Sequence, residues 1–170
     1  MDDSRKKLLD ALRQAIAAEY EGYGFYQMAA RSTEDPLGRQ VFEGLAGEEL
    51  HHAAYLKTQY RSIGETGKVD SSVTLGRPHV VTAGSPIFSP ALKQRIGDAH
   101  FEMSALAVGV HLEENAMTFY RARAAEATDV AARAFLLELA DWETGHHRAL
   151  LEQQQELQQA YWERNGFAPF

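Results

Sequence analysis

The chain has 170 residues, of which 45% are hydrophobic and 24% are charged, and its formal net charge is −7. This composition is that of one globular domain with a sizeable core, and it excludes a disordered chain. The negative charge disfavours nucleic acid as a partner, and no apolar run approaches the roughly 18 residues that suggest a membrane span.

The chain contains no cysteine, which excludes disulfides, thiolate zinc sites and iron–sulfur clusters. The N-terminal segment MDDSRKKLLD has no apolar stretch of the signal-peptide type, so we expect a cytoplasmic protein. Any bound metal must therefore be held by Asp, Glu and His, and 24 acidic residues and seven histidines make such a site available.

Two amphipathic helices are predicted in the first half of the chain. The first has Ser4 as its expected N-cap and ends near residues 31–33. The second has Asp35 as N-cap with Pro36 in its first turn, and it ends near Gly64. On each helix, apolar and ionisable residues at alternating steps of three and four positions form one stripe along a single face. These stripes carry Leu12, Ile16, Glu19, Tyr23 and Tyr26 on the first helix, and Phe42, Leu45, Glu49, His52 and Leu56 on the second.

A long crossover follows at residues 64–97, which are rich in Gly, Ser, Thr and Pro. Ser89 and Pro90 predict the start of a short helix within it, and Gly97 predicts its end. We interpret this segment as a connection inside one domain and not as a linker between two domains.

Two further long helices are predicted in the second half. Asp98 is the expected cap of the third and Asp129 of the fourth, which ends before Gly166. The terminal segment FAPF is apolar and is expected to dock on a neighbouring surface. The stripes of these helices carry Leu106, Val110, Glu113, Met117 and Tyr120 on the third, and Leu136, Leu139, Glu143, His146, Leu150 and Leu157 on the fourth.

Four long helices in two hairpins with one long crossover predict an all-α, ferritin-like four-helix bundle with a short extra helix. A shift of 94 residues aligns the two halves without a gap over the helices, so we predict a single domain over residues 1–170 that is internally duplicated. The duplicated hairpins span about 4–63 and 98–157. The aligned pairs include Leu12 with Leu106, Glu19 with Glu113, Tyr26 with Tyr120, Asp35 with Asp129, Glu49 with Glu143, and His52 with His146.

The repeat also distinguishes two overlapping Glu-x-x-His pairs in LAGEELHH, residues 45–52. Glu49 and His52 have counterparts and lie on the apolar stripe. Glu48 and His51 fall on Trp142 and Gly145 and lie about 100° further round the helix. We therefore predict that Glu49 and His52 face the interior, and that Glu48 lies on a solvated face.

Six ionisable residues occupy apolar stripes: Glu19, Glu49, His52, Glu113, Glu143 and His146. Burying an ionised carboxylate costs several kcal/mol, so four together would take up protons unless cations lie among them. Two divalent cations neutralise four carboxylates. A Glu from each of two helices with a Glu-x-x-His from each of the other two is the di-iron or di-manganese carboxylate arrangement. Such mixed oxygen and imidazole ligation suits two Fe or Mn ions in a redox site, and Zn could also occupy it.

Acidic residues and histidines on helices also have roles that involve no metal. A buried ion-pair network could hold four carboxylates, but it needs Lys or Arg on the facing stripes, and the seam positions have none. Isolated acidic residues on a helix usually lie on a solvated face, which we expect for Glu21 and Glu114 as well as Glu48. The remaining histidines are interpreted as structural: His51, His79, His100, His111 and His147.

The segments AIAAEYEGYGFY (15–26), FEGLAGEELHH (42–52), HLEENAMTFY (111–120) and LLELADWETGHH (136–147) resemble the rubrerythrin group of the ferritin-like superfamily. The resemblance implies that Glu49 and Glu143 bridge two metals. It further implies that Glu19 and His52 complete one metal site, and Glu113 and His146 the other.

The resemblance also implies reduction of peroxide or O2 at the metal site. Typical rubrerythrins carry a Cys-rich rubredoxin domain, so a chain without cysteine is expected to use an external electron donor, rubredoxin-like or other. They also carry a further Glu one turn after the third-helix ligand, where this chain has Ala116. The alternatives are a ferroxidase or iron-handling protein and a structural metal-binding bundle without turnover. We expect a homodimer that associates through the YWERNGF end or the helix faces.

Overall fold

The computed structural model describes residues 3–76 and 84–166. Within them the chain forms five α-helices and one 3-10 turn, and no strand. Helix α1 pairs with α2, and α4 pairs with α5, which gives two hairpins, and α1 also packs along α4. The predicted all-α, ferritin-like bundle is confirmed. The elements are α1 (Asp3–Ser32), α2 (Pro36–Thr66), α3 (Pro90–Gln94), the 3-10 turn (Ile96–Asp98), α4 (His100–Glu126) and α5 (Val130–Arg164).

The two hairpin turns use the same device at repeat-related positions. The side chain of Asp35 accepts a hydrogen bond from the Gly38 backbone N at 2.8 Å, and that of Asp129 accepts one from the Ala132 backbone N at 2.7 Å. Each carboxylate satisfies a free amide in the first turn of a helix. Both predicted N-caps are confirmed, as is Ser89, whose side chain caps α3.

The start of the first helix and the end of the second differ from prediction, whereas the first helix ends at Ser32 as predicted. Helix α1 begins at Asp3, so Ser4 lies inside its first turn. Helix α2 runs past Gly64 and is closed by Gly67, which has a φ of 78° and whose N–H bonds to Ile63 O. Glycine adopts this left-handed conformation at little cost, so Gly67 is the stop signal and Gly64 is not.

The predicted boundaries around Gly97 and Asp98 were also wrong. Helix α3 ends earlier, at Gln94, and Gly97 lies within the 3-10 turn. Asp98 lies inside that turn, where its backbone N bonds to Arg95 O at 2.8 Å, and it is not the residue at the N-cap position of α4. Helix α4 is preceded by Ala99 and has no side-chain cap.

The crossover is attached to the bundle by two buried glutamines that are also 94 residues apart. Gln59 on α2 donates to Asp70 O and accepts from Asp70 N, at 3.0 and 2.9 Å. Gln153 on α5 accepts from Ile87 N at 2.7 Å. These bonds satisfy backbone groups of an irregular segment that lies against the helices. Residues 77–83, including His79, and the segment FAPF lie outside the described residues.

The buried apolar side chains form two clusters, one toward each end of the bundle. One contains Tyr26, Phe42, Leu45, Leu106 and Leu150. The other contains Leu12, Leu56, Tyr120, Leu136 and Leu139. Along every long helix the predicted metal-ligating residue lies between members of the two clusters, so the six polar side chains occupy one level at mid-bundle. None of the described helices is both long and apolar enough to cross a membrane.

Candidate metal centre

The six predicted residues converge in the middle of the bundle, and each is at most 5% exposed. Their ligand atoms form two sets, each with all four atoms within 4.8 Å of one another. Glu49 and Glu143 belong to both sets. The first set is Glu19, Glu49, His52 and Glu143, and the second is Glu49, Glu113, Glu143 and His146. The structure thus contains two adjacent groups of four side chains that could each hold a metal ion, here called four-ligand positions, and the two groups share two carboxylates.

The two histidines direct the same ring atom at the carboxylates. His52 Nδ1 lies 3.0 Å from Glu143 Oε1 and 3.3 Å from Glu19 Oε2. His146 Nδ1 lies 3.4 Å from Glu143 Oε2 and 3.7 Å from Glu113 Oε2. The i, i+3 spacing on α2 and α5 places each imidazole beside the Glu of its own helix. The rings are stacked, with centroids 5.9 Å apart.

The centre contains several buried oxygen and nitrogen atoms without a hydrogen-bond partner. They are Glu49 Oε1, both carboxylate oxygens of Glu143, His146 Nδ1 and His52 Nε2. Leaving such an atom unsatisfied costs about 1–3 kcal/mol, and more when it is charged. The ion pairs that the four carboxylates make with described residues are all to histidine, so an Arg- or Lys-based network is not what holds them. Oxygen and imidazole donors fit Fe, Mn or Zn.

Two tyrosines satisfy the outer carboxylates in a crossed pattern. The Tyr26 hydroxyl on α1 donates to Glu113 on α4, and the Tyr120 hydroxyl on α4 donates to Glu19 on α1. Burial, reinforced by the carboxylate that each phenol contacts, raises the pKa of both phenols, so they stay protonated and act as donors. The Tyr23 hydroxyl instead accepts from Gln27 at 2.5 Å and lies outside the centre.

The metal centre lies within a stretch of the chain that matches a known protein family. A family model described as Rubrerythrin matches residues 10–154. The chain belongs to the rubrerythrin family. The comparisons with curated proteins and with solved structures found no match. The matched range contains all six residues of the centre, and the buried Glu and His cluster fits the di-iron site that membership of the rubrerythrin family implies.

In the absence of cations, protons balance the charge of this rubrerythrin centre. Burial raises the pKa of Glu49, as do the charges of Glu143 and Glu113, and burial with the charge of Glu143 raises the pKa of Glu113 to about 7. Burial opposes protonation of His52, but the charge of Glu143 and hydrogen bonds outweigh it and raise its pKa to about 10. Burial likewise opposes ionisation of Glu143, yet the charge of His52 and the close approach of both imidazoles lower its pKa.

The interpretation of Glu48 as a solvated residue was wrong. It is 7% exposed, and its Oε2 lies 2.8 Å from His146 Nε2, the ring atom that faces away from the carboxylates. The side of α2 that carries Glu48 faces α5 and not solvent. The sequence held one signal of this, because the repeat aligns Glu48 with Trp142, a large side chain suited to a buried interface.

Trp142 makes the two halves of the centre different. It is 5% exposed, and its ring lies 5.1 Å from that of His52 in an edge-on arrangement. His146 therefore has a carboxylate beside its outer nitrogen, whereas His52 has an indole against its ring. A carboxylate partner fixes the tautomer of a ligating histidine and raises its basicity.

The other histidines do not join the centre. His51 is exposed, and its Nε2 lies 2.7 Å from the carbonyl oxygen of Leu75 in the crossover. His100 and His111 are exposed, and His147 is half-buried. Glu21 and Glu114 are exposed as predicted.

Two glycines allow close approach around the centre. A Cβ added at Gly22 would lie 3.2 Å from Glu49 Oε2, and one at Gly109 would lie 3.2 Å from Leu150 Cδ1. A Cβ at Gly24 would meet nothing within 4 Å. Close packing thus explains Gly22 and Gly109, and Gly22 also lines a cavity between α1 and α4.

Two cavities are relevant to the choice of site. One of about 270 Å³ lies between α1 and α4 and is lined by Glu19, Glu49 and Glu113. A larger one of about 790 Å³ lies at the end of the bundle, beside Arg5, Arg123 and residues 126–129, and none of the six residues of the centre lines it. Because three of the six residues line the smaller cavity and none lines the larger one, we associate the smaller cavity with the candidate metal centre.

Proposed function

We propose that this chain is a di-iron oxidoreductase that reduces peroxide or O2 with electrons from an external donor. The observation that carries the proposal is the pair of four-ligand positions that share Glu49 and Glu143. Membership of the rubrerythrin family supports iron as the metal, and the oxygen and imidazole donors are compatible with it.

We propose a role for each residue from these two sets. Glu49 and Glu143 would bridge the two ions. Iron held there would supply Lewis acidity and one-electron redox chemistry. The remaining ligands would be Glu19 and His52 at one position, and Glu113 and His146 at the other.

The chain's own groups prepare the centre for this chemistry. Tyr26 and Tyr120 hold Glu113 and Glu19 by hydrogen bonds, and Glu48 holds the ring of His146. Such partners keep ligating groups in one orientation. The six side chains are buried, and the cavity between α1 and α4 offers an approach to them for a small neutral oxidant.

Steady-state peroxide consumption with a one-electron donor tests the proposal. The iron-loaded protein should turn over peroxide and show a near-ultraviolet absorption change on oxidation. Glu113→Ala should abolish turnover, whereas Glu114→Ala, which changes an exposed neighbour, should retain it. Ferrous oxidation with many irons retained per chain and no peroxide turnover would contradict the proposal and favour iron handling. A redox-silent metal in protein from cells would favour a structural role.

A further inference from the structure

The cavity between α1 and α4 has a polar inner end and apolar walls. Its inner end is formed by Glu19, Glu49 and Glu113 with the phenols of Tyr26 and Tyr120. Its walls are formed by the apolar side chains of Ala15, Ala18, Leu112, Ala116 and Phe119. Hydrogen peroxide is too small and too polar to contact such walls, and O2 has no polar group for the carboxylate end. The cavity fits a ligand with an apolar part and a polar part.

The size of the cavity sets the scale of the ligand. A dry cavity of about 150 Å³ is large enough to bind benzene. A volume of about 270 Å³ therefore has room for a ring of that size with a short polar substituent. The cavity also reaches the surface, because exposed Gln14, Ala18 and Asn115 line it.

The charge of the cavity selects against anionic ligands. Among the described residues, those that line the cavity include no Lys or Arg, and the exposed carboxylate of Glu21 lies at its rim. The whole chain carries a net charge of −7. An anionic ligand such as a fatty acid would be repelled at low ionic strength, whereas a neutral ligand would not be.

We infer that this cavity binds a neutral organic hydroperoxide with a compact apolar group, and that this is a substrate of the centre. The inference rests on the proposed function. The apolar group lies against Phe119 and Leu112, and the –OOH group points to the carboxylate end. The O–O bond breaks, and two electrons and two protons convert ROOH into ROH and H2O. A one-electron donor protein supplies the electrons to the centre in two steps, and the protons come from solvent.

Binding is tested without turnover. The probe is 2-phenyl-2-propanol, the alcohol formed from cumene hydroperoxide, titrated into the Zn²⁺-loaded and the metal-free protein and followed by NMR. The methyl signals of Ala15, Ala18 and Ala116 should shift in a saturable way. Ala18→Leu should weaken binding at least about tenfold, because the added atoms occupy the cavity. Ala17→Leu makes the same change at an exposed neighbour that does not line the cavity, and it should leave binding unchanged.

Turnover then tests the substrate assignment with the iron-loaded protein. Ala18→Leu should lower kcat/KM for cumene hydroperoxide about tenfold or more, and that for hydrogen peroxide less than about twofold. Ala116→Leu serves as a second variant on the opposite wall. An absence of saturable binding overturns the inference, as does an equal effect of Ala17→Leu and Ala18→Leu or an equal loss with both peroxides. Failure of the proposed function looks different: alcohol binding persists, but neither peroxide is consumed, and the substrate assignment falls with it.

Discussion

Glu48 Oε2 lies 2.8 Å from His146 Nε2, on the side of the imidazole opposite the carboxylates of the centre. The repeat places Trp142 at the equivalent position beside His52, so one histidine has a carboxylate partner and the other has an indole. The two metal positions are therefore expected to be inequivalent, although their ligand sets have the same composition.

Glu48→Ala should weaken one of the two metal positions. Loss of a carboxylate partner of a ligating histidine typically lowers metal affinity about 10- to 100-fold. Titration of metal-free protein with Zn²⁺ should therefore show one weakened equivalent and one unchanged. Glu43→Ala, at an exposed position on the same helix, is the control. Two unchanged equivalents in Glu48→Ala would show that this hydrogen bond has no effect on the centre.

Tyr26→Phe and Tyr120→Phe should each destabilise the metal-free protein. Each removes the donor to a buried carboxylate, Glu113 or Glu19, and leaving that group unsatisfied costs about 1–3 kcal/mol. The free energy of unfolding in urea measures the loss. Tyr23→Phe should cost less, because its hydroxyl lies outside the centre and is only partly buried. Equal effects of all three variants would contradict the crossed hydrogen bonds.

The metal-free protein should lose stability as pH rises. The pKa of His52 is raised from 6.5 to about 10, and that of Glu113 from 4.5 to about 7. Between its two pKa values, each group binds more protons in the folded state than in the unfolded state. The stabilisation from His52 is fully present below pH 6.5 and is lost as pH rises through about 10. Urea unfolding at pH 6 and pH 9 measures the difference.

Metal binding should reverse that trend. Cations replace the protons on the imidazoles, so binding near pH 7 releases protons and tightens as pH rises. Calorimetry in two buffers of different ionisation enthalpy counts the protons released. Zn²⁺-loaded protein that becomes less stable from pH 6 to pH 9, as the metal-free protein does, would contradict this account.

Gly22→Ala should weaken both metal positions at once. The added Cβ would lie 3.2 Å from Glu49 Oε2, so the shared carboxylate must shift by a few tenths of an ångström. Gly24→Ala is a matched control on the same helix, where a Cβ meets nothing within 4 Å. It should leave metal binding intact and stabilise the helix by up to about 1 kcal/mol. Metal titration and urea unfolding of the two variants give the comparison.

Much of the fold and centre was predictable because it depends on periodicity. Helical steps of three and four place Glu19, Glu49 and His52 on apolar stripes, and the repeat supplies the second set of three. An apolar stripe, however, shows only which side of one helix is buried, and it does not show which helix packs against the adjoining side. Glu48 was misassigned for that reason, because its flank faces α5.

The crossover and the cavity could not be predicted for a related cause. Asp98 has the residue type of a cap, but its backbone belongs to a 3-10 turn whose geometry depends on packing against α5. The cavity depends on the separation of α1 and α4, which the small side chains of Ala18 and Ala116 permit but do not specify. Such features come from tertiary packing rather than from local pattern.

The central claim is that two metal ions share Glu49 and Glu143, and the metal content of a Glu49 variant tests it most directly. Iron per chain should be measured for the wild-type protein, Glu49→Ala and the exposed control Glu43→Ala after identical loading. We predict two irons per chain in the wild type and in Glu43→Ala, and loss of both in Glu49→Ala. Two irons retained in Glu49→Ala would contradict the shared-ligand centre.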